Sequence, residues 1–126
     1  ELGLEGIVTI HGRIAQAEVR RALRGATLLN STVLAEGFQT TLLEAIAEGG
    51  RVITYPVPGA RLLQQQGAPV IIANAKSSEA LDRELATNFA HGWRQADAAL
   101  IEGWTWPVRA RTYEKMCNEL FPSRHS

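Results

Sequence analysis

Short apolar runs alternate with helical patterns along most of this chain, and that alternation constrains the fold more than any other feature. The runs that predict strands are residues 7–11, 26–30, 51–55 and 69–73. The segments whose apolar spacing predicts helices are residues 15–25, 40–48, 60–66, 77–89, 94–101 and 106–120. Strands that alternate with helices form a parallel sheet covered on both faces. We therefore expect one α/β domain over residues 1–126, with a Rossmann-like sheet and a C-terminal helix at residues 105–121.

Local signals place several boundaries of these elements. Gly49-Gly50 is typical of a helix stop, Ser77 or Ser78 of a helix cap, and Pro107 of a first helical turn. The run Pro56-Val57-Pro58-Gly59 predicts a type II turn after the third strand.

Composition excludes several classes of protein. The chain has 126 residues, 45% hydrophobic and 21% charged, with a net charge of zero and only two lysines, Lys76 and Lys115. A nucleic-acid-binding protein usually shows a basic face, and no cluster of Lys and Arg suggests one here. No apolar run reaches the length of a membrane span, and the single Cys117 excludes an intramolecular disulfide. We expect a cytoplasmic protein.

Ligands bind to open parallel sheets at the carboxyl ends of the strands. In this chain that edge holds the loops at residues 11–14, 31–39, 55–59 and 73–76. The second loop leads into a helix and contains Glu36, eight positions before Glu44. The start of a helix favours anions such as phosphate, whereas carboxylates favour neutral hydroxyl groups. The combination suggests a ligand that carries both phosphates and sugars.

A structural interpretation of the same residues stays open at this point. Thr41-x-x-Glu44 has the spacing of a capping box, in which both side chains bond to the backbone at the start of a helix. Glu36 would then be a solvated loop acid.

The residues around this pair resemble a known family. Leu29-Asn30-Ser31 followed by EGFQTTLLEAIAEGGRVITYPVPGA (residues 36–60) resembles the donor-nucleotide domain of retaining glycosyltransferases of family 4, glycosyltransferase group 1. That domain is the C-terminal half of a GT-B fold, and its E-x7-E motif follows a strand that usually ends in Pro-Ser. The resemblance covers essentially the whole chain, although its specific motifs lie between Asn30 and Gly59.

The resemblance implies a role for each matching position. Glu36 would be the catalytic residue, facing the transferred sugar, and Glu44 would accept the ribose hydroxyls. The donor sugar and diphosphate would be bound by Gly37, Phe38, Gln39, Thr40 and Thr41. The base would lie along His11, Gly12, Arg13 and Ile14. The resemblance implies neither a metal nor a cofactor, and UDP is the expected nucleotide of the donor.

Several features depart from the family pattern. Asn30 stands where Pro is usual, and Pro58-Gly59 stands where two glycines are common. The family's diphosphate-clamping Arg and Lys lie upstream of Glu1, and Arg13 and Arg61 could replace them only by position. Two family strands also precede the strand predicted at residues 7–11. Either the parent protein is longer, which we favour, or the strand has moved, or another chain fills the gap.

These departures set the expectations for partners. The acceptor, a sugar or a lipid-linked molecule, would bind to an N-terminal domain, so the isolated chain is expected to be inactive. Self-association through an exposed C-terminal helix or the incomplete sheet stays open, as does peripheral attachment to the inner membrane. The alternatives are a non-catalytic nucleotide-binding or protein-interaction module on the same fold, and a sugar-nucleotide epimerase. For Trp93, Trp104 and Trp106 we favour packing of the C-terminal helices over a carbohydrate-stacking platform.

Overall fold

A three-stranded parallel sheet with helices around it forms the centre of the protein. The computed structural model describes residues 3–31 and 39–122. Its elements in chain order are α1 (Gln16–Leu23), β1 (Thr27–Asn30), α2 (Thr40–Ala47), β2 (Arg51–Thr54), α3 (Pro58–Gln65), β3 (Val70–Ile72), α4 (Ser78–Asn88), α5 (Ala98–Gly103) and α6 (Trp106–Leu120). The predicted α/β, Rossmann-like class is confirmed.

The strands pair in the order β1-β2-β3, with Leu28 opposite Val52 and Val52 opposite Val70. The central strand is buried on both sides, because Val52 and Ile53 point to opposite faces and both are inaccessible. Leu42 and Ile46 of α2, together with Leu63 of α3, complete the core.

Most predicted elements lie within two or three residues of their observed bounds, and two boundaries were wrong. Pro58 does not form a turn with Gly59; it opens α3, where its missing N–H costs no hydrogen bond. The helix expected over residues 94–101 begins only at Ala98, after an extended segment. The predicted cap at Ser77 is confirmed, since Ser77 Oγ accepts from Ala80 N. The predicted place of Pro107 in the first turn of α6 is also confirmed.

The strand predicted at residues 7–11 is wrong. The segment begins as a turn, in which the N–H groups of Ile7 and Val8 both donate to Leu4 O, and its apolar side chains face solvent. Ile7 is 78% exposed and Ile10 is 91% exposed. A strand is stabilised by a neighbouring strand and by burial of one face, and no described segment supplies either to these residues.

Glu48 is the carboxylate that holds the two arginines of helix α1 and its C-terminal end. Glu48, at the C-terminus of α2, accepts from Arg20 Nε at 2.8 Å and from Arg24 Nε at 3.3 Å. The Arg20 hydrogen bond lowers the pKa of Glu48 below its usual value of 4.5, and burial opposes this effect only in part. α1 itself contains no fully buried residue, so these contacts matter for its position.

The lowered pKa of Glu48 predicts that acid loosens α1. A carboxylate whose pKa falls on folding stabilises the folded state above its unfolded pKa, and this contribution disappears as the pH falls through the folded value. We therefore expect amide protection in α1 to drop as the pH falls below 4.5. At neutral pH, Glu48→Gln should reduce the amide protection of α1 by roughly threefold. This is the size of effect expected when two partly exposed ion pairs are lost. Hydrogen exchange followed by NMR measures both effects.

Glu79→Gln is the matched control, because Glu79 also has a lowered pKa but lies in the first turn of α4. It should leave the exchange of α1 unchanged. Equal exchange of α1 in the wild type and in Glu48→Gln would show that the two arginines do not anchor this helix.

Candidate functional site

A cleft of about 690 Å³ lies between α2, α3 and the C-terminal helices. It is lined by Thr40, Leu43, Glu44, Leu62, Trp104, Trp106, Arg109 and Tyr113. Among the described lining residues, Arg109 is the one cation and Glu44 the one carboxylate. Aromatic rings and aliphatic side chains supply most of the remaining wall, which suits a flat, partly polar organic ligand.

The topology places this cleft toward the carboxyl edge of the sheet. β1 ends at Asn30 and α2 begins at Thr40, while β2 ends at Thr54 and α3 begins at Pro58. Both helices therefore begin where their strands end, and the cleft-lining residues of α2 lie within its first five residues. This is the edge at which open α/β sheets bind ligands.

Glu44 presents a carboxylate to the cleft. Its Oε1 accepts from Gln16 Nε2 of α1 at 2.8 Å, and its side chain is half-buried. Within residues 3–31 and 39–122 no donor occupies Oε2. A carboxylate in this state can still accept two hydroxyl groups, because each oxygen has two lone-pair sites.

The capping-box interpretation of Thr41 and Glu44 is wrong. The N-cap of α2 is Gln39, which makes no side-chain cap, and Thr41 is the second residue inside the helix. Helix formation began two residues earlier than the box requires. Glu44 is therefore not held at the helix start, and its carboxylate bonds to α1 instead.

Thr40 and Thr41 open α2, and both are exposed. As the first residues of a helix, their backbone N–H groups have no intrahelical acceptor. The structure thus brings Thr40 and Glu44 to one cleft, whereas Thr41 does not line it. Their roles toward a ligand stay predictions, as do those of Glu36, Gly37 and Phe38, which lie outside the described residues.

Gln39 takes part in a side-chain network at the carboxyl edge. Asn30 Nδ2 donates to Gln39 Oε1 at 2.6 Å and to Thr54 Oγ1 at 2.8 Å. The buried Thr54 hydroxyl in turn donates to Tyr55 O. Asn30, which stands where the resembled family usually has Pro, therefore ties the end of β1 to the residue preceding α2 and to the end of β2.

The predicted base-binding residues lie elsewhere. His11, Gly12 and Arg13 are exposed, and Ile14 is half-buried. His11 and Ile14 line a separate cavity of about 270 Å³ against α1, together with Glu18, Arg21 and Ala22. The structure does not bring them to the cleft of Glu44, and their role toward a base stays a prediction.

Helix α6 contributes residues that the sequence analysis did not assign to the site. Trp106, Arg109 and Tyr113 follow the i, i+3, i+7 spacing of one helical face, and all three line the cleft. That spacing predicts that the three side chains lie on one face of α6. It does not predict that this face lies opposite α2. The packing role predicted for the tryptophans is confirmed for Trp104, which packs against the core, and is wrong for Trp106, which is 83% exposed.

Membrane-spanning helices and metal-ligand clusters are both absent from the described part of the chain. No helix in it is long and apolar enough to cross a membrane. No group of three His, Cys, Asp or Glu side chains in residues 3–31 and 39–122 converges on a common point where a metal ion could bind.

Comparison with known proteins identifies the family. No curated protein and no solved structure gives a significant match to the chain. A family model described as "Glycosyl transferases group 1" matches residues 1–90, which include β1, α2, β2, α3, β3, α4 and Glu44. Because this match covers more than half of the 126 residues, the chain belongs to the group 1 glycosyl transferases.

Proposed function

We propose that this chain binds the donor of a retaining glycosyl transfer, a nucleotide-diphosphate sugar with UDP as its nucleotide. One observation carries the proposal: Thr40, midway along the E-x7-E pattern, and Glu44, its second acid, line one cleft at the carboxyl edge of the sheet. Both lie inside the segment that matches the family.

Glu44 would bind the ribose. A ribose presents two adjacent hydroxyl donors, and a carboxylate can accept both. The half-buried position of Glu44 supports this role, since a hydrogen bond shielded from water is stronger than an exposed one. Gln16 would stay as a neighbour that orients the carboxylate, because its bond to Oε1 leaves lone pairs unused.

The diphosphate would lie at the start of α2. The free N–H groups of Thr40 and Thr41 and the positive end of the helix dipole favour an anion there. Stabilising the departing diphosphate is the main electrostatic task of the transfer, which proceeds with retention of anomeric configuration. Glu36 would face the reacting sugar, and backbone amides of Gly37, Phe38 and Gln39 would support it.

A separate domain would hold the acceptor, a sugar or lipid-linked molecule, so binding tests the proposal more directly than turnover. We expect at least one of UDP, GDP and ADP, with UDP the tightest, to bind the full chain at millimolar concentration or below. Glu44→Ala should weaken that binding by about tenfold or more, the loss typical of hydrogen bonds to a charged group. Titration by NMR or calorimetry measures both.

Glu114→Ala is the matched control, since Glu114 is an exposed carboxylate of α6 that does not line the cleft. It should bind nucleotide as the wild type does. If none of the three nucleotides binds the wild type, or if Glu44→Ala and Glu114→Ala bind equally well, the donor site is not here.

A further inference from the structure

We propose that Arg109 of α6 is the cation that binds the phosphate groups of the ligand in this cleft. The inference rests on the proposed function, because it names a further binding residue for the same donor. It assigns to the C-terminal helix a contact with ligand that neither motif spacing nor family resemblance had indicated.

The location of Arg109 is the first reason. It lines the cleft together with Thr40, where α2 begins, and with Glu44. A diphosphate beside Glu44 meets a like charge, and the two N–H groups at the start of α2 supply only partial positive charge. Arg109 is the only full positive charge on the described cleft wall, so it alone can offset that repulsion.

The hydrogen bonding of Arg109 is the second reason. Its Nε atom is buried, and no described residue accepts a hydrogen bond from it. A buried donor on a charged group without an acceptor is destabilising. Because no described carboxylate pairs with this guanidinium, a phosphate oxygen in the cleft can accept from its outer Nη groups. Guanidinium groups bind phosphate with two parallel N–H···O bonds.

The support beneath Arg109 is the third reason. Its Cζ atom lies 3.9 Å from the centre of the Trp104 ring, so the guanidinium stacks on that ring. Stacking uses the face of the guanidinium and leaves the N–H donors around its edge available. The ring itself is fixed, because Trp104 Nε1 donates to Gln66 Oε1 at 2.8 Å and the side chain packs against the core. Arg109 is thus held in place before any ligand binds.

The test separates binding of phosphate from folding of the cleft. The full chain is titrated with UDP and uridine, GDP and guanosine, and ADP and adenosine. Arg109→Gln should weaken binding of the preferred diphosphate by about tenfold while leaving the affinity for its nucleoside unchanged. Arg109→Lys should recover part of the loss, since it keeps the charge but not the planar fork.

Arg111→Gln is the matched control, because Arg111 is an exposed arginine of the same helix that does not line the cleft. It should bind both ligands as the wild type does. Unchanged diphosphate affinity in Arg109→Gln overturns the role of Arg109 and leaves the donor site standing. An equal loss for diphosphate and nucleoside assigns Arg109 to packing and also overturns the inference. A wild type that binds none of these nucleotides overturns the donor site and the inference together.

Discussion

Gly50→Ala is expected to destabilise this domain strongly, although it adds only one methyl group. A Cβ atom on Gly50 would lie 2.8 Å from Ala26 O, 2.9 Å from Leu23 O and 3.0 Å from Ala45 O. All three are backbone oxygens, which cannot rotate away as a side chain can. They belong to the end of α1, the residue before β1, and α2, so relief of the clash must separate these segments.

The predicted cost follows from the rigidity of this junction. Gly50 N already donates to Ala45 O at 2.8 Å, and Arg51 N donates to Ala26 O at 2.8 Å, so the clashing oxygens also hold the chain in register. Overpacking in a core costs about 1–3 kcal/mol, and we expect the upper end or more here. That loss should lower the melting temperature by roughly 10 °C or more in thermal unfolding followed by circular dichroism.

Gly92→Ala is the control for Gly50. No heavy atom lies within 4 Å of a Cβ built on Gly92, which is exposed and has an ordinary backbone conformation. The change should leave the melting temperature within a few degrees or raise it slightly. Similar melting temperatures for the two variants would show that α1, α2 and β1 do not meet at Gly50 as described.

Elements whose signals are local were predictable from the sequence. The three strands of the sheet are short β-branched or apolar runs between turn residues, and α2 and α6 repeat apolar residues at helical spacing. The segment at residues 7–11 carries the same local signal, yet it forms no strand. Its failure shows that an apolar run predicts a strand only if another segment pairs with it.

Gly49 and Gly50 show the same difference between a local signal and a requirement of tertiary packing. Gly49-Gly50 was predicted as a helix stop, and Gly49 has the positive φ of 73° that this role requires. Gly50 does not have a positive φ. A glycine is needed at this position because a side chain would clash with three carbonyl oxygens. That requirement depends on how distant segments pack, which sequence spacing does not report.

Only the α2 side of the candidate site was predictable from the sequence. The motif and the edge rule placed Thr40 and Glu44 together, because both lie on one short helix that begins at the carboxyl edge. The opposite wall, with Arg109 and Trp106, depends on how α5 and α6 place these side chains across the cleft from α2. The bonds of Asn30 to Gln39 and Thr54 depend on how β1 lies beside β2 and the start of α2, which the sequence alone does not report.

Leu42→Ala is expected to destabilise the domain without changing the chemistry of the cleft. Leu42 is fully buried and is among the largest such side chains in the core. It lies on the first turn of α2, between the two threonines and Glu44, but it points away from the cleft into the core. Truncation of a buried leucine costs about 2–5 kcal/mol, through lost burial and the cavity left behind. Denaturant unfolding measures the change in free energy.

Leu43→Ala is the matched comparison on the same helix. Leu43 is half-buried and lines the cleft, so its truncation removes less buried surface but alters the wall beside Glu44. We expect Leu43→Ala to lose less stability than Leu42→Ala but more affinity for nucleotide. The affinities are compared under conditions in which both variants are folded. The reverse order of affinities would mean that the face of α2 turned toward α6 does not contact the ligand. Adjacent leucines thus distinguish what α2 contributes to the core from what it contributes to the site.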